Sequence, residues 1–143
     1  MREIQRNLLW IGNAGDIRTP QKLFDVGILA IVDVAYEESP AQLPRQFIYC
    51  RFPINDGDGN EPALLRQTVQ TICDLMAAGT RTIVACSAGM SRSPTLAAAA
   101  LAVHLSESPD DIIRRLGESA PLDVSGPLWS DVIKTLAGVR RGP

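Results

Sequence analysis

The 143-residue chain has no excess of basic charge, little cysteine, a single histidine and no long apolar run. Lys and Arg number 14 against 16 Asp and Glu, a formal net charge of −2 at pH 7. With a sequence pI near 5.3, that balance argues against a general nucleic-acid or membrane-surface binder. Any affinity for phosphate must then be local. Three cysteines, an odd number, fit free thiols in a reducing compartment rather than a disulfide framework. The opening residues lead into only a brief apolar patch, too short for a secretory core. The most apolar run, Leu96–Val103, is too short to span a bilayer. A cytoplasmic setting is the expectation. The one histidine, His104, reads as a helix C-terminal-turn residue rather than a catalyst.

The length suits one compact domain over 1–143, with a substantial core and no repeat, linker or low-complexity tract. Strand and helix signals alternate along it. Leu8–Gly12 reads as a short strand, and Thr19-Pro20 as a helix start with Thr as N-cap. That helix stops at Gly27. Ile28–Val34 suits a strand covered on both faces, Tyr36–Gln46 a loop, and Phe47–Phe52 another strand. Asn55–Asn60 forms a mobile acidic turn. Glu61-Pro62 opens a long helix with Leu65, Val69, Ile72, Cys73 and Met76 on its buried stripe. Arg81–Cys86 is a strand, and Pro94 to about Leu105 a helix apolar on nearly every side. A further helix is capped at Ser108-Pro109, and a last one carries Leu128, Trp129, Val132, Ile133 and Leu136. Strands alternating with helices mean an α/β sheet. Cys50 and Cys73 fall on core-facing positions and read as inert.

One stretch carries chemistry: Val84-Ala85-Cys86-Ser87-Ala88-Gly89-Met90-Ser91-Arg92-Ser93. A β-branched run ends in a cysteine, small residues follow, and Ser93-Pro94 opens a helix. Such a strand–turn–helix hand-off builds an anion cradle from curled backbone N–H groups, a helix N-terminus and an arginine fork. Ser87, Ala88, Gly89, Met90, Ser91 and Arg92 would bind the oxyanion. A thiol in that setting ionises readily, and a thiolate facing a bound phosphate is a nucleophile in place. Phosphoryl transfer to Cys86 also needs charge stabilisation, for which Arg92 is the candidate. A general acid is needed as well, for which Asp56 is the candidate and Asp58 its rival. Ser93 can donate to Cys86 while capping a helix amide, or serve as a cap alone.

The Cys-x5-Arg-Ser signature, with Leu9–Ala14, Gly27–Val34 and Phe52–Asp56, resembles the small dual-specificity protein phosphatases of the cysteine-dependent tyrosine phosphatase superfamily. The likeness covers most of the chain. An acid-bearing loop upstream of the cysteine matches that order. Low-molecular-weight tyrosine phosphatases and arsenate reductases place the acid behind the cysteine, and rhodanese-like enzymes lack the upstream loop. The resemblance implies a single-domain α/β fold, a mixed, mostly parallel sheet of four or five strands flanked by helices. It also implies metal-independent hydrolysis of phosphomonoesters through a phosphocysteine intermediate. Cys86 would be the nucleophile, Arg92 the clamp, and Asp56 the acid and then the base, with no cofactor. Phosphorylated protein is the implied partner, carrying phosphotyrosine, phosphoserine or phosphothreonine; nucleic acid and membrane are not expected. A departure stands at Ala85, where the family usually has a histidine that orders the loop and favours the thiolate.

Other readings are a phosphate-binding module without turnover, a phosphatase of lipid or RNA 5′ phosphoesters, and a thiol redox or arsenate enzyme. The loop interior holds no lysine, which weakens a polyanionic substrate. A calcium loop at Asp56–Gln67 is rejected because its sixth position is Glu61 and its twelfth Gln67. No Gly-Lys-Ser/Thr is present for a nucleotide P-loop.

Overall fold

A computed structural model describes residues 1–142. Five strands form one sheet in the order β1-β2-β5-β3-β4. They are β1 (Arg2–Gln5), β2 (Leu9–Asn13), β3 (Ala30–Asp33), β4 (Ile48–Arg51) and β5 (Thr82–Cys86). All neighbouring pairs are parallel except β1 with β2. The central strand β5 pairs with β2 on one side, Cys86 opposite Asn13, and with β3 on the other. Every residue of β3 and β5 is buried, as a strand covered on both faces requires.

Side-chain alternation along β5 divides the core in two. Val84 and Cys86 join the larger cluster, with Leu9, Ile11 and Val32 beneath the helices α3 (Pro62–Ala77), α4 (Arg92–Leu105) and α6 (Gly126–Thr135). Ile83 and Ala85 face the other way, among Trp10, Ile17, Leu23, Ile28, Ile31 and Phe47. The short helices α1 (Ala14–Ile17) and α2 (Pro20–Asp25) cover that second face, and α5 (Pro109–Ser119) packs on α4. At the centre lies α4, buried without interruption from Arg92 to Ala102. Its alanines, Ala97 to Ala100, let neighbouring elements approach closely. On α3 the stripe Leu65, Val69, Ile72, Cys73 and Met76 is buried, as its spacing predicts.

Several local expectations need correction. The strand β1 carries no period-2 apolar signal, because a polar edge strand has only Ile4 to turn inward. The four-residue α1 is held by a reciprocal cap: Asn13 Oδ1 accepts from Asp16 N–H at 3.0 Å, and Asp16 Oδ2 from Asn13 N–H at 2.9 Å. Thr19 and Ser108 stand at N-cap positions but make no capping bond; Thr19 Oγ1 donates to Gly15 O instead. The central helix starts at Arg92 with Ser91 as N-cap, ahead of Ser93-Pro94. A proline tolerates the first turn because its missing N–H has no intrahelical acceptor there. Cys50 sits half-buried on the edge strand β4, whereas Cys73 is buried, and burial pushes its thiol up to about 12. No helix among the described residues is long and apolar enough to cross a membrane.

Ala85 has no exposed surface and packs in the Trp10–Ile31–Ile83 layer. A histidine there must displace close-packed apolar atoms. Ala85→His is expected to destabilise the fold by about 1–3 kcal/mol, read as a lower urea midpoint at unchanged slope.

Candidate active site

Cys86 ends β5, and the chain curls back over it before entering α4. Gly89 makes the curl possible, with φ +76° and an added Cβ only 3.0 Å from the Gly12 carbonyl oxygen. A side chain there would meet both the left-handed backbone penalty and β2. Gly89 N–H donates to Cys86 Sγ at 3.2 Å. Ala14 N–H donates to Ser87 O at 3.3 Å, tying the far side of the loop to α1. Ser93 Oγ lies 3.4 Å from Cys86 Sγ and donates to Gly12 O at 3.3 Å. Ser93 therefore contacts the sulfur, and the helix-capping expectation for it does not hold: it sits inside α4 and bonds the neighbouring strand.

Arg92, only 5 % exposed, needs partners for a buried charge. Nη1 donates to Glu37 Oε2 at 2.7 Å and to Ile54 O at 2.9 Å. Nη2 donates to Glu37 Oε1 and is 3.4 Å from Ser87 Oγ. Ser87 Oγ also donates to Glu37 Oε1. Glu37 thus takes the end of the guanidinium through both Nη atoms. The other edge differs: Nε is buried and has no partner among the described residues. A guanidinium held by its end keeps its Nε–Nη2 side for a planar or tetrahedral oxyanion. The Arg92 bond is also the main reason the Glu37 carboxyl drops to about 2.

The proposed acid loop follows β4. Asn60 ties it, accepting from Asn55 N–H at 2.9 Å and donating to Asn55 O at 2.9 Å and Gly57 O at 3.3 Å. The loop is thus braced, not merely a solvated turn. Ser91 Oγ donates to Asp56 Oδ1 at 2.6 Å and accepts from Ser125 N–H at 3.0 Å. Asp56, Cys86, Ser87, Ala88, Met90, Ser91, Arg92 and Asp123 line one cavity of about 270 Å³. Asp58 is not among its lining residues. Gly89 serves through its N–H on the sulfur and stays outside the cavity lining.

Sequence reasoning missed two residues here. Glu37 lies in the loop after β3, and no spacing rule connects it to Arg92; burial of the arginine is the only cue, and it needs the structure. Asp123, between α5 and α6, reaches the cavity because its N–H donates to Met90 O at 2.9 Å. A larger hollow of about 460 Å³ between α3 and α6, lined by Leu65, Arg66, Asp131, Lys134 and Thr135 among others, holds no cysteine.

Glu37 titrates lower folded than unfolded, so its contribution to stability is complete above about 4.5 and lost as pH falls through about 2. Between those limits the wild type is expected to lose stability more steeply than Glu37→Gln, checked by denaturant midpoints across that window. At neutral pH, Gly89→Ala is expected to weaken vanadate binding at least tenfold, measured by calorimetry, since the loop amides can no longer curl onto the sulfur.

No protein-family model matches the chain, and no curated protein matches it in sequence. Solved structures do. Human DUSP28 superposes with TM-score 0.83 at 20 % identity, over 96 % of this chain and 96 % of its own. A mouse putative dual specificity phosphatase complexed with zinc tungstate gives TM-score 0.82 at 22 % identity, over 95 % of this chain and 86 % of its own. PTPMT1 in complex with PI(5)P gives 0.73 at 16 % identity, over 96 % and 94 %. The five-stranded, mostly parallel sheet with its flanking helices is the fold of the small dual-specificity phosphatases.

Proposed function

We propose that the chain is a metal-independent, cysteine-dependent phosphatase that hydrolyses phosphomonoesters on proteins carrying phosphotyrosine, phosphoserine or phosphothreonine. The observation that carries this reading is the pairing of Cys86 Sγ, which accepts from Gly89 N–H, with a buried Arg92 whose Nε is unpartnered, in one cavity. A phosphoryl group seated there accepts from the loop amides and from the Nε–Nη2 edge of Arg92, which stabilises its oxygens as charge builds.

In the first step the Cys86 thiolate attacks phosphorus and the bond to the leaving oxygen breaks, with Asp56 giving that oxygen a proton. In the second, water attacks the phosphocysteine, Asp56 takes a proton from it, and the sulfur leaves as thiolate. Ser93 Oγ, next to Sγ, can turn its hydroxyl from Gly12 O to the departing sulfur and steady it. Ser91 orients the acid: its hydroxyl bonds Asp56 while its oxygen is held by the Ser125 amide. Structural likeness to PTPMT1 in complex with PI(5)P supports a second reading, a phosphoinositide as substrate.

An aryl phosphate assay tests the chemistry. Turnover is expected to persist in the presence of a chelator and to vanish in Cys86→Ser, while that variant still binds phosphopeptide. Asp56→Asn is expected to lower kcat by about 10²–10⁴-fold, and Asp58→Asn to change it little. Binding without turnover at any pH in the wild type would make the chain a phosphate-binding module.

A further inference from the structure

The charges around the catalytic cavity are unbalanced. Its lining holds one cation, Arg92, against the Cys86 thiolate and the carboxylate of Asp123, with Asp56 entering the reaction protonated. The guanidinium is already matched by Glu37 at its far end. The nearby arginines are engaged elsewhere and do not line the cavity. Arg18 pairs with Glu38 at 3.2 Å, and Arg51 lies 3.6 Å from Asp33 while donating to Glu38 O. No lysine occurs between Cys86 and Arg92.

Asp123 is exposed, but its backbone is tied to the signature loop. Its N–H is bonded to Met90 O, and two residues on Ser125 N–H is bonded to Ser91 Oγ. Leu122, just before it, packs against the core. The α5–α6 connection is thus fastened to the signature loop at two points by its backbone, which holds Asp123 at the cavity wall. A negative charge built there does nothing for the bound phosphoryl group, which it repels. Its use lies in what surrounds that group on the substrate.

We infer that Asp123 is a specificity residue, selecting phosphorylated polypeptide segments with basic neighbours and disfavouring substrates that bring further phosphates. The inference rests on the phosphatase reading and sharpens it to one substrate class. Lysine or arginine beside the phosphorylated residue meets the carboxylate of Asp123 at the rim. A second phosphate on an inositol ring or an RNA end meets the same charge with the wrong sign, and no basic side chain besides Arg92 lines the cavity to offset it.

The test compares kcat/KM for two tyrosine-phosphorylated peptides identical except for lysine or glutamate on either side. A soluble phosphoinositide and an aryl phosphate are run alongside. At low salt the basic peptide is expected to lead the acidic one by about tenfold, the gap closing as ionic strength rises. Asp123→Asn is expected to shrink that ratio about threefold and Asp123→Lys to reverse it. Because a ratio is read, a general loss of activity in either variant cancels. Equal ratios in wild type and Asp123→Asn, a preference for the acidic peptide, or a preference for the phosphoinositide would each overturn the inference. The same peptides are titrated onto Cys86→Ser by fluorescence anisotropy. If no ester at all is hydrolysed, the phosphatase reading fails by itself, and the charge order in binding still decides the role of Asp123.

Discussion

Arg92 sits at the first turn of a helix that solvent scarcely reaches, and a guanidinium so placed is tolerable only with its donors met. Glu37 and the Ile54 carbonyl meet the end of it, from the loops after β3 and β4. Those two loops are therefore drawn over the carboxyl end of the sheet by one buried charge. Through the second loop comes Asp56, braced by Asn60 and held by Ser91. Remove the counter-charge and the arginine loses its main partner; remove the arginine and the two loops lose the contact they share.

The placement of the sulfur follows from the sheet. β5 is paired on both sides and buried throughout, so the position of Cys86 at its end is set by two ladders. Such a strand end, outside the carboxyl edge of a parallel sheet, is where α/β folds collect ligands. Everything beyond the ladders is local: a left-handed glycine, an amide on the sulfur, and a helix whose small side chains allow it to lie deep in the core.

Legibility in the sequence divided along the same line. The buried strands, the apolar stripe of α3 and the all-round burial of α4 were readable because hydrophobic period reports burial directly. The Cys86–Ser93 loop was readable because its residues are contiguous. β1 was not, since Arg2, Glu3 and Gln5 leave a single apolar side chain to betray it. Glu37 and Asp123 were not, since they join the site through tertiary contacts with residues 55 and 33 positions away, Arg92 and Met90. Thr19 and Ser108 show the limit of local rules: both have the right side chain at the right position, yet neither makes a cap bond. Ser93 shows it again, bonding across to β2 at Gly12 rather than within its own helix.

The contact between Gly89 and Gly12 joins the earliest part of the chain to its most reactive loop. At Gly12 an added Cβ would lie 2.7 Å from Asp16 Oδ2, and at Gly89 one would lie 3.0 Å from Gly12 O. The loop passes this close to β2 because Gly89 carries no side chain, while the bare side of Gly12 faces Asp16 and Ile83. The curvature of the loop around the sulfur is thus inherited from β2 and the small helix behind it. A change in residues 12–16 would be felt as altered reactivity before it was felt as lost folding, in a segment that holds no reactive group of its own.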